Sequence, residues 1–204
     1  FQSVWHHLSN NGNAGIVMAN GAMTSNTKGE KNVREHMVNE GMIDCIVRLP
    51  DKLFLTTGIP ACLFFLSKTR KGNKQHRERK NEVLFIDANK MGEMVSRKLR
   101  ALTDAEIEKI GATYHAWRNI IASGAKQSQK YKDVPGFCKT VSLDEIVKQD
   151  YKLTPGIYVG SEEAEKDDVP FEVKMKELTS TLKEQFAKSN ELQKRIEKNL
   201  NSLN

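Results

Sequence analysis

Long apolar runs are missing from this chain of 204 residues. The longest, Ile59–Leu66, is far below the roughly 20 residues that a helix needs to cross a bilayer, so no membrane span is expected. Cysteine is scarce. Cys45, Cys62 and Cys138 are odd in number and show no C-x-x-C spacing. That argues against a disulfide framework and a cysteine zinc site, and it fits a reducing cytosol. Catalytic signatures are missing too: there is no G-x-G-x-x-G, P-loop, H-E-x-x-H or G-x-S-x-G. The pair His6-His7 has no third ligand type nearby, so no metal is expected. The chain opens at Phe1 with neither Met nor a signal-peptide pattern and reads as a piece of a longer protein.

What is present describes a globular domain. Charged residues make up 28% and hydrophobic ones 38% of the chain, too apolar for disorder and too polar for a membrane protein. The net charge of +6 is uneven: residues 1–67 are neutral, 68–160 carry +8 and 161–204 carry −2. A basic middle third suits a polyanion such as DNA or RNA. Its densest part is Lys68–Asn81, where seven of fourteen residues are Lys or Arg against one acid. The same loop also reads as a solvated sheet edge guarded against strand addition.

Short apolar runs between turn signals predict buried strands at Ala14–Asn20, Met42–Leu49, Pro60–Ser67 and Glu82–Ala88. A capping box, Thr27 with Glu30, opens a helix that ends at Gly41, with Glu30/Arg34 and Lys31/Glu35 as supporting pairs. Strand, helix and strand within about 35 residues favour parallel pairing of the first two strands. The third and fourth lack a helix between them and are expected as antiparallel neighbours. Further capping boxes start helices at Thr103 and Ser142, the first with Leu102 and Ile107 as a staple. Ile107, Ile110, Tyr114, Trp117 and Ile121 form a core-facing stripe, and Phe137–Val141 is a short strand. The expected domains are an α/β core at 1–88, a basic and mainly helical extension at 89–160, and a long helix at 161–204 with Pro170 at its start.

The last helix carries Met175, Leu178, Leu182, Leu192 and Ile196 at heptad positions, with Phe186 widening the stripe. Thirty-five helical residues extend roughly 50 Å, more than a domain of this size covers. The stripe is therefore expected to meet a helix of a partner chain.

Several segments resemble a known family. Phe1–Leu8, Asn11–Asn26, Val33–Glu40, Cys45–Leu49, Leu53–Lys68 and Leu153–Gly160 are similar to the modification subunit of type I restriction–modification systems, adenine-N6 DNA methyltransferases that use S-adenosylmethionine. The sharpest part is Phe54 with Thr57-Gly58-Ile59-Pro60-Ala61-Cys62. The chain departs from the pattern at Ile157, where many members carry Arg.

The resemblance implies an α/β fold: the second half of a Rossmann-like methyltransferase sheet, mixed and flanked by helices, plus the long C-terminal helix. The family's cofactor loop and Asn-Pro-Pro-aromatic motif lie on the first half and do not occur here. No catalytic or cofactor-binding residue is therefore expected in this chain, which should be inactive alone and bind no S-adenosylmethionine. A flipped adenine is stacked by an aromatic residue in related enzymes. That makes Phe54 the candidate for stacking, Thr57 and Asn20 candidates for the pocket, and Lys68, Arg70 and Lys71 candidates for DNA phosphates. The implied partners are DNA, a specificity subunit and a second modification subunit, with a restriction subunit as a further candidate. A non-enzymatic assembly or nucleic-acid-binding module on an α/β scaffold is the competing reading.

Overall fold

The computed structural model describes residues 1–119, 131–161 and 171–201. Phe1–Glu162 forms one compact unit and Glu163–Asn204 a second.

The apolar runs do form strands: β1 (Asn13–Ala19), β2 (Ile43–Arg48), β3 (Ala61–Ser67), β4 (Glu82–Asp87) and, further on, β7 (Cys138–Ser142). They build one mixed sheet in the order β1-β3-β2-β4-β7. β3 inserts antiparallel between β1 and β2, and β4 pairs parallel with β2. This corrects both the expected antiparallel β3–β4 pairing and the expected pairing of β1 with β2, which run parallel with β3 between them. Fourteen residues separate β3 from β4, enough to carry the chain past β2. Residues 89–160 do not stand apart, because β7 pairs antiparallel with β4 inside the same sheet.

Helices cover both faces. Met37 and Val38 of α2 (Lys28–Asn39) pack with Cys62, Phe64, Leu66, Val83 and Phe85 in one core. Trp117 of α3 (Asp104–Arg118) is buried with Cys45, Val47, Leu84 and Ile86 in the other, where Ile110 and Tyr114 also pack. β3 and β4 alternate strictly between the two cores, as a two-residue period requires. β2 does not: Ile43 and Cys45 face opposite cores because a bulge interrupts the ladder between them. The stripe on α3 stops short of Ile107, which is 54% exposed, while Ile121 lies outside the described residues.

The Thr103–Glu106 capping box forms in both directions. The one at Thr27 does not, because Thr27 makes no side-chain cap and its hydroxyl meets Ser25 Oγ instead. Ser142 caps α4 (Leu143–Lys148) by accepting from the Glu145 amide, while the Glu145 carboxylate binds Lys139 at 2.9 Å. Lys31 and Glu35 pair at 3.9 Å, whereas Arg34 is buried and donates through Nε to the Tyr151 carbonyl.

Two short elements precede and follow these. α1 (Gln2–His7) opens the chain, and α5 (Pro155–Tyr158) begins on its proline. A hairpin not expected from the sequence joins β5 (Glu93–Met94) to β6 (Arg100–Ala101). In the second unit α6 runs from Phe171 to Asn201, 31 residues or about 47 Å. Pro170 lies outside the described residues. No described helix is long and apolar enough to cross a membrane.

Candidate functional site

β1, β2 and β4 run in one direction, so their carboxyl ends share one edge of the sheet. Ligands of open α/β sheets bind outside that edge. Asn20, Arg48 and Asp87 sit there at the ends of β1, β2 and β4. The start of β3 meets them: the Asn20 amide donates to the Pro60 carbonyl at 3.3 Å and the Leu49 amide to Ala61 at 2.9 Å.

The loop from Leu49 to Pro60 carries Phe54 and Thr57 at this edge. The two face each other in a one-residue antiparallel bridge. Thr57 Oγ1 accepts from the Ile59 amide at 3.1 Å and holds the turn. Lys52 takes a left-handed backbone, φ +58°, which favours glycine and costs a lysine energy. The strain presents an apolar tip to solvent: Phe54 is 41% exposed, Leu55 81% and Ile59 62%. Asn20 is half-buried, and its Oδ1 is buried with no hydrogen-bond donor. An orphaned acceptor costs about 1–3 kcal/mol, so a donor arriving here would be favoured.

The segment Leu153–Gly160 closes the edge from the other side. The Leu153 amide donates to Met23 beyond β1, at 2.9 Å, and Tyr158 stacks on Phe85 at 4.4 Å. Gly156 lies against the Arg48–Asp87 ion pair, where an added Cβ would stand 3.1 Å from Asp87 Oδ2. Ile157 is exposed.

The phosphate candidates fare differently. β3 runs antiparallel, so Lys68, Arg70 and Lys71 leave it at the opposite edge, about 20 Å away along seven residues. Lys68 is also committed: its Nζ donates to the Leu8 carbonyl at 2.7 Å and lies over the Trp5 ring. Arg70 is 4% exposed and donates to the carbonyls of Gly41, Arg79 and Glu82. Its burial lowers the guanidinium to about 10, while the nearby Asp44 carboxylate works the other way. Neither Lys68 nor Arg70 is placed to meet a phosphate beside Phe54. Lys71 is exposed, but on the far edge.

The loop Lys68–Asn81 is a strap built around buried Asp44. Arg79 Nε meets Asp44 Oδ1 at 3.0 Å, and the Tyr114 hydroxyl donates to Oδ2 at 2.8 Å. Arg77 and Arg79 lie over the Trp117 ring. Much of the basic run is thus consumed by the fold. The thiols offer no nucleophile: burial raises all three, Cys62 to about 11. Among the described residues no cluster of three His, Cys, Asp or Glu could hold a metal.

Residues 1–167 match the N-6 DNA Methylase family model. The chain belongs to this family. It is 46% identical over 99% of its length to the type I restriction enzyme HindI methylase subunit of Haemophilus influenzae, and 35% identical over 97% to the MjaIX methylase subunit of Methanocaldococcus jannaschii. It spans 42% and 33% of those two relatives. The crystal structure of a type I restriction–modification methyltransferase subunit from Streptococcus thermophilus superposes with a TM-score of 0.58 at 29% identity, over 74% of this chain and 27% of that one. The mixed sheet with helices on both faces is therefore shared with part of that subunit.

Sequence reasoning missed the β5–β6 hairpin, which also follows a strand ending at the carboxyl edge. The only signal was Gly92 and the polar turn Ser96-Arg97-Lys98 between short apolar pairs.

Proposed function

We propose that this chain is the rear part of a cytoplasmic, S-adenosylmethionine-dependent adenine-N6 DNA methyltransferase, the modification subunit of a type I restriction–modification system. One observation carries the reading: the Phe54 loop stands at the carboxyl edge of a sheet whose β1 rim is bare. β1 pairs with β3 on one side and with no described strand on the other. Its seven residues, Asn13–Ala19, hold no charge, proline or bulge, the usual guards of a free edge. Such a rim suits further strands of the same sheet, bearing the reactive half.

In this reading the chain contributes the wall that receives the extruded base. Phe54 stacks on it, and Thr57 fixes the turn that aims the ring. Asn20 lines the pocket beside them, at the end of β1. S-adenosylmethionine does not fit the residues present. Asp87 and Asp51, the carboxylates at this edge that could bind a ribose, are engaged by Arg48 and Arg100. In this reading the methyl-donor site belongs to the missing half.

The exposed apolar stripe of α6 supports assembly with a specificity subunit and a second modification subunit on DNA. The decisive experiment is methyl transfer from labelled S-adenosylmethionine to duplex DNA. The full-length polypeptide with its partner subunits should label adenine N6, and this chain alone should not. Transfer by residues 1–204 alone would refute the division of labour. No transfer by the full assembly would refute the activity.

A further inference from the structure

The cations that reach the carboxyl edge are not those of the Lys68–Asn81 strap. β4 ends at Asp87 on that edge, and the hairpin of β5 and β6 follows six residues later. It is fastened to the base of the Phe54 loop. The Arg100 amide donates to the Lys52 carbonyl at 2.8 Å, and Arg100 Nε faces Asp51 Oδ1 at 3.5 Å. The Gly92 amide donates to Glu106 at 2.8 Å. Gly92 is left-handed at φ +83°, and an added Cβ would stand 2.9 Å from the Ala101 carbonyl oxygen, so only glycine closes this end.

The tip is equally well held. Ser96 Oγ accepts from the amides of Lys98 and Leu99 at 3.3 and 3.1 Å, and the Val95 amide donates to Leu99 at 3.0 Å. Yet among the described residues what the tip shows to solvent has no partner. Met94 is 44% and Val95 61% exposed, and Arg97 and Lys98 are exposed beside them, with no ion pair among the described residues. A rigid turn that spends its hydrogen bonds on displaying two cations and two apolar side chains is pre-organised for a partner. Glu93 is the only acid on the exposed part of the hairpin, so the charge favours an anion.

We infer that the β5–β6 hairpin is a DNA finger beside the base pocket: Arg97 and Lys98 bind phosphates flanking the target, and Met94 and Val95 press against the sugar and base edges. The inference rests on the Phe54 loop being that pocket. Cations beside an apolar wedge are the chemistry by which proteins hold a locally opened duplex. The stacking face for the extruded base and the grip on the strand it leaves would then sit on one braced edge.

The test uses the full-length polypeptide assembled with its partner subunits and a target duplex carrying 2-aminopurine at the methylated position. Arg97→Ala with Lys98→Ala should weaken binding and lower the log–log salt slope by about 2, at roughly 0.9 per phosphate. Subunit co-purification should not change. Val95→Ser should lower the 2-aminopurine signal at saturating DNA. An unchanged salt slope overturns the inference. So does loss of co-purification at an unchanged slope, which would make the hairpin a protein interface. Phe54→Ala serves as the control. If flipping survives it, the pocket reading fails; if flipping is lost while the double variant keeps its slope, only the finger fails.

Discussion

Arg79 and Asp44 meet at 3.0 Å where neither side chain has any solvent exposure. The bulge in β2 turns Asp44 toward α3, and the strap brings Arg79 and Arg70 back onto it. Loss of the carboxylate would strand two buried guanidinium groups. Asp44→Ala should therefore cost about 3–5 kcal/mol, the usual penalty for breaking a buried pair from one side. Urea unfolding of the chain measures it. A shift in midpoint equivalent to less than 1 kcal/mol would mean that the strap is not held by this carboxylate.

Phe54→Ala should reduce occupancy of the extruded base by the value of one stacked ring, about 1–3 kcal/mol. Its exposure of 41% predicts little effect on folding. In the full assembly, 2-aminopurine fluorescence at the target should fall, and Phe54→Trp should restore most of it. Equal signals from the alanine variant and the parent would exclude stacking at this position.

Leu182 and Ile196 of α6 are 49% and 59% exposed. Burying one such side chain in an interface is worth about 1.5–3 kcal/mol. Leu182→Asp and Ile196→Asp should each release the specificity subunit during co-purification while residues 1–160 keep their thermal transition. Undiminished capture by both variants would remove α6 from the interface.

Lys31 and Asp150 join α2 to the turn after α4 at 2.7 Å. The hydrogen bond, the largest effect on each, raises the Lys31 amine above 10.5 and lowers the Asp150 carboxyl below 3.8. A depressed carboxyl contributes stability above its unfolded value, lost as pH falls through the folded one. A raised amine contributes below 10.5 and loses it as pH rises through its folded value. Asp150→Asn should thus be less stable than the parent at pH 7, and the gap should close in acid below pH 3.8. Asn suits the left-handed backbone at Asp150, φ +54°, so the comparison isolates charge. Denaturation at the two pH values decides it; a gap that persists in acid would assign the effect to something other than the carboxylate.

The strands were legible because each is a short apolar run closed by turn residues: Ala14–Asn20 became Asn13–Ala19, and Pro60–Ser67 became Ala61–Ser67. Their order was not, since nothing local to β3 says that it slides between β1 and β2. That one placement also separates Lys68, Arg70 and Lys71 from the candidate pocket, because it sends the end of β3 to the edge opposite Phe54. Arg70 is in addition buried. A buried carboxylate 26 positions earlier claims it, and no spacing rule links the two. The same hydroxyl-and-acid spacing produced a closed box at Thr103 and none at Thr27, where Ser25 competes for the oxygen. The hairpin escaped notice because strands of two residues, exposed in β5 and half-buried in β6, are too short to carry a hydrophobic period.

The unguarded border of β1 bears on how such a polypeptide must be made. Synthesis runs from the amino terminus, so strands encoded ahead of Asn13 would already be waiting when β1 left the ribosome. On the proposed reading, production of this portion on its own removes that chaperone in cis. Copies would then be drawn rim to rim, and soluble yield should fall steeply with concentration.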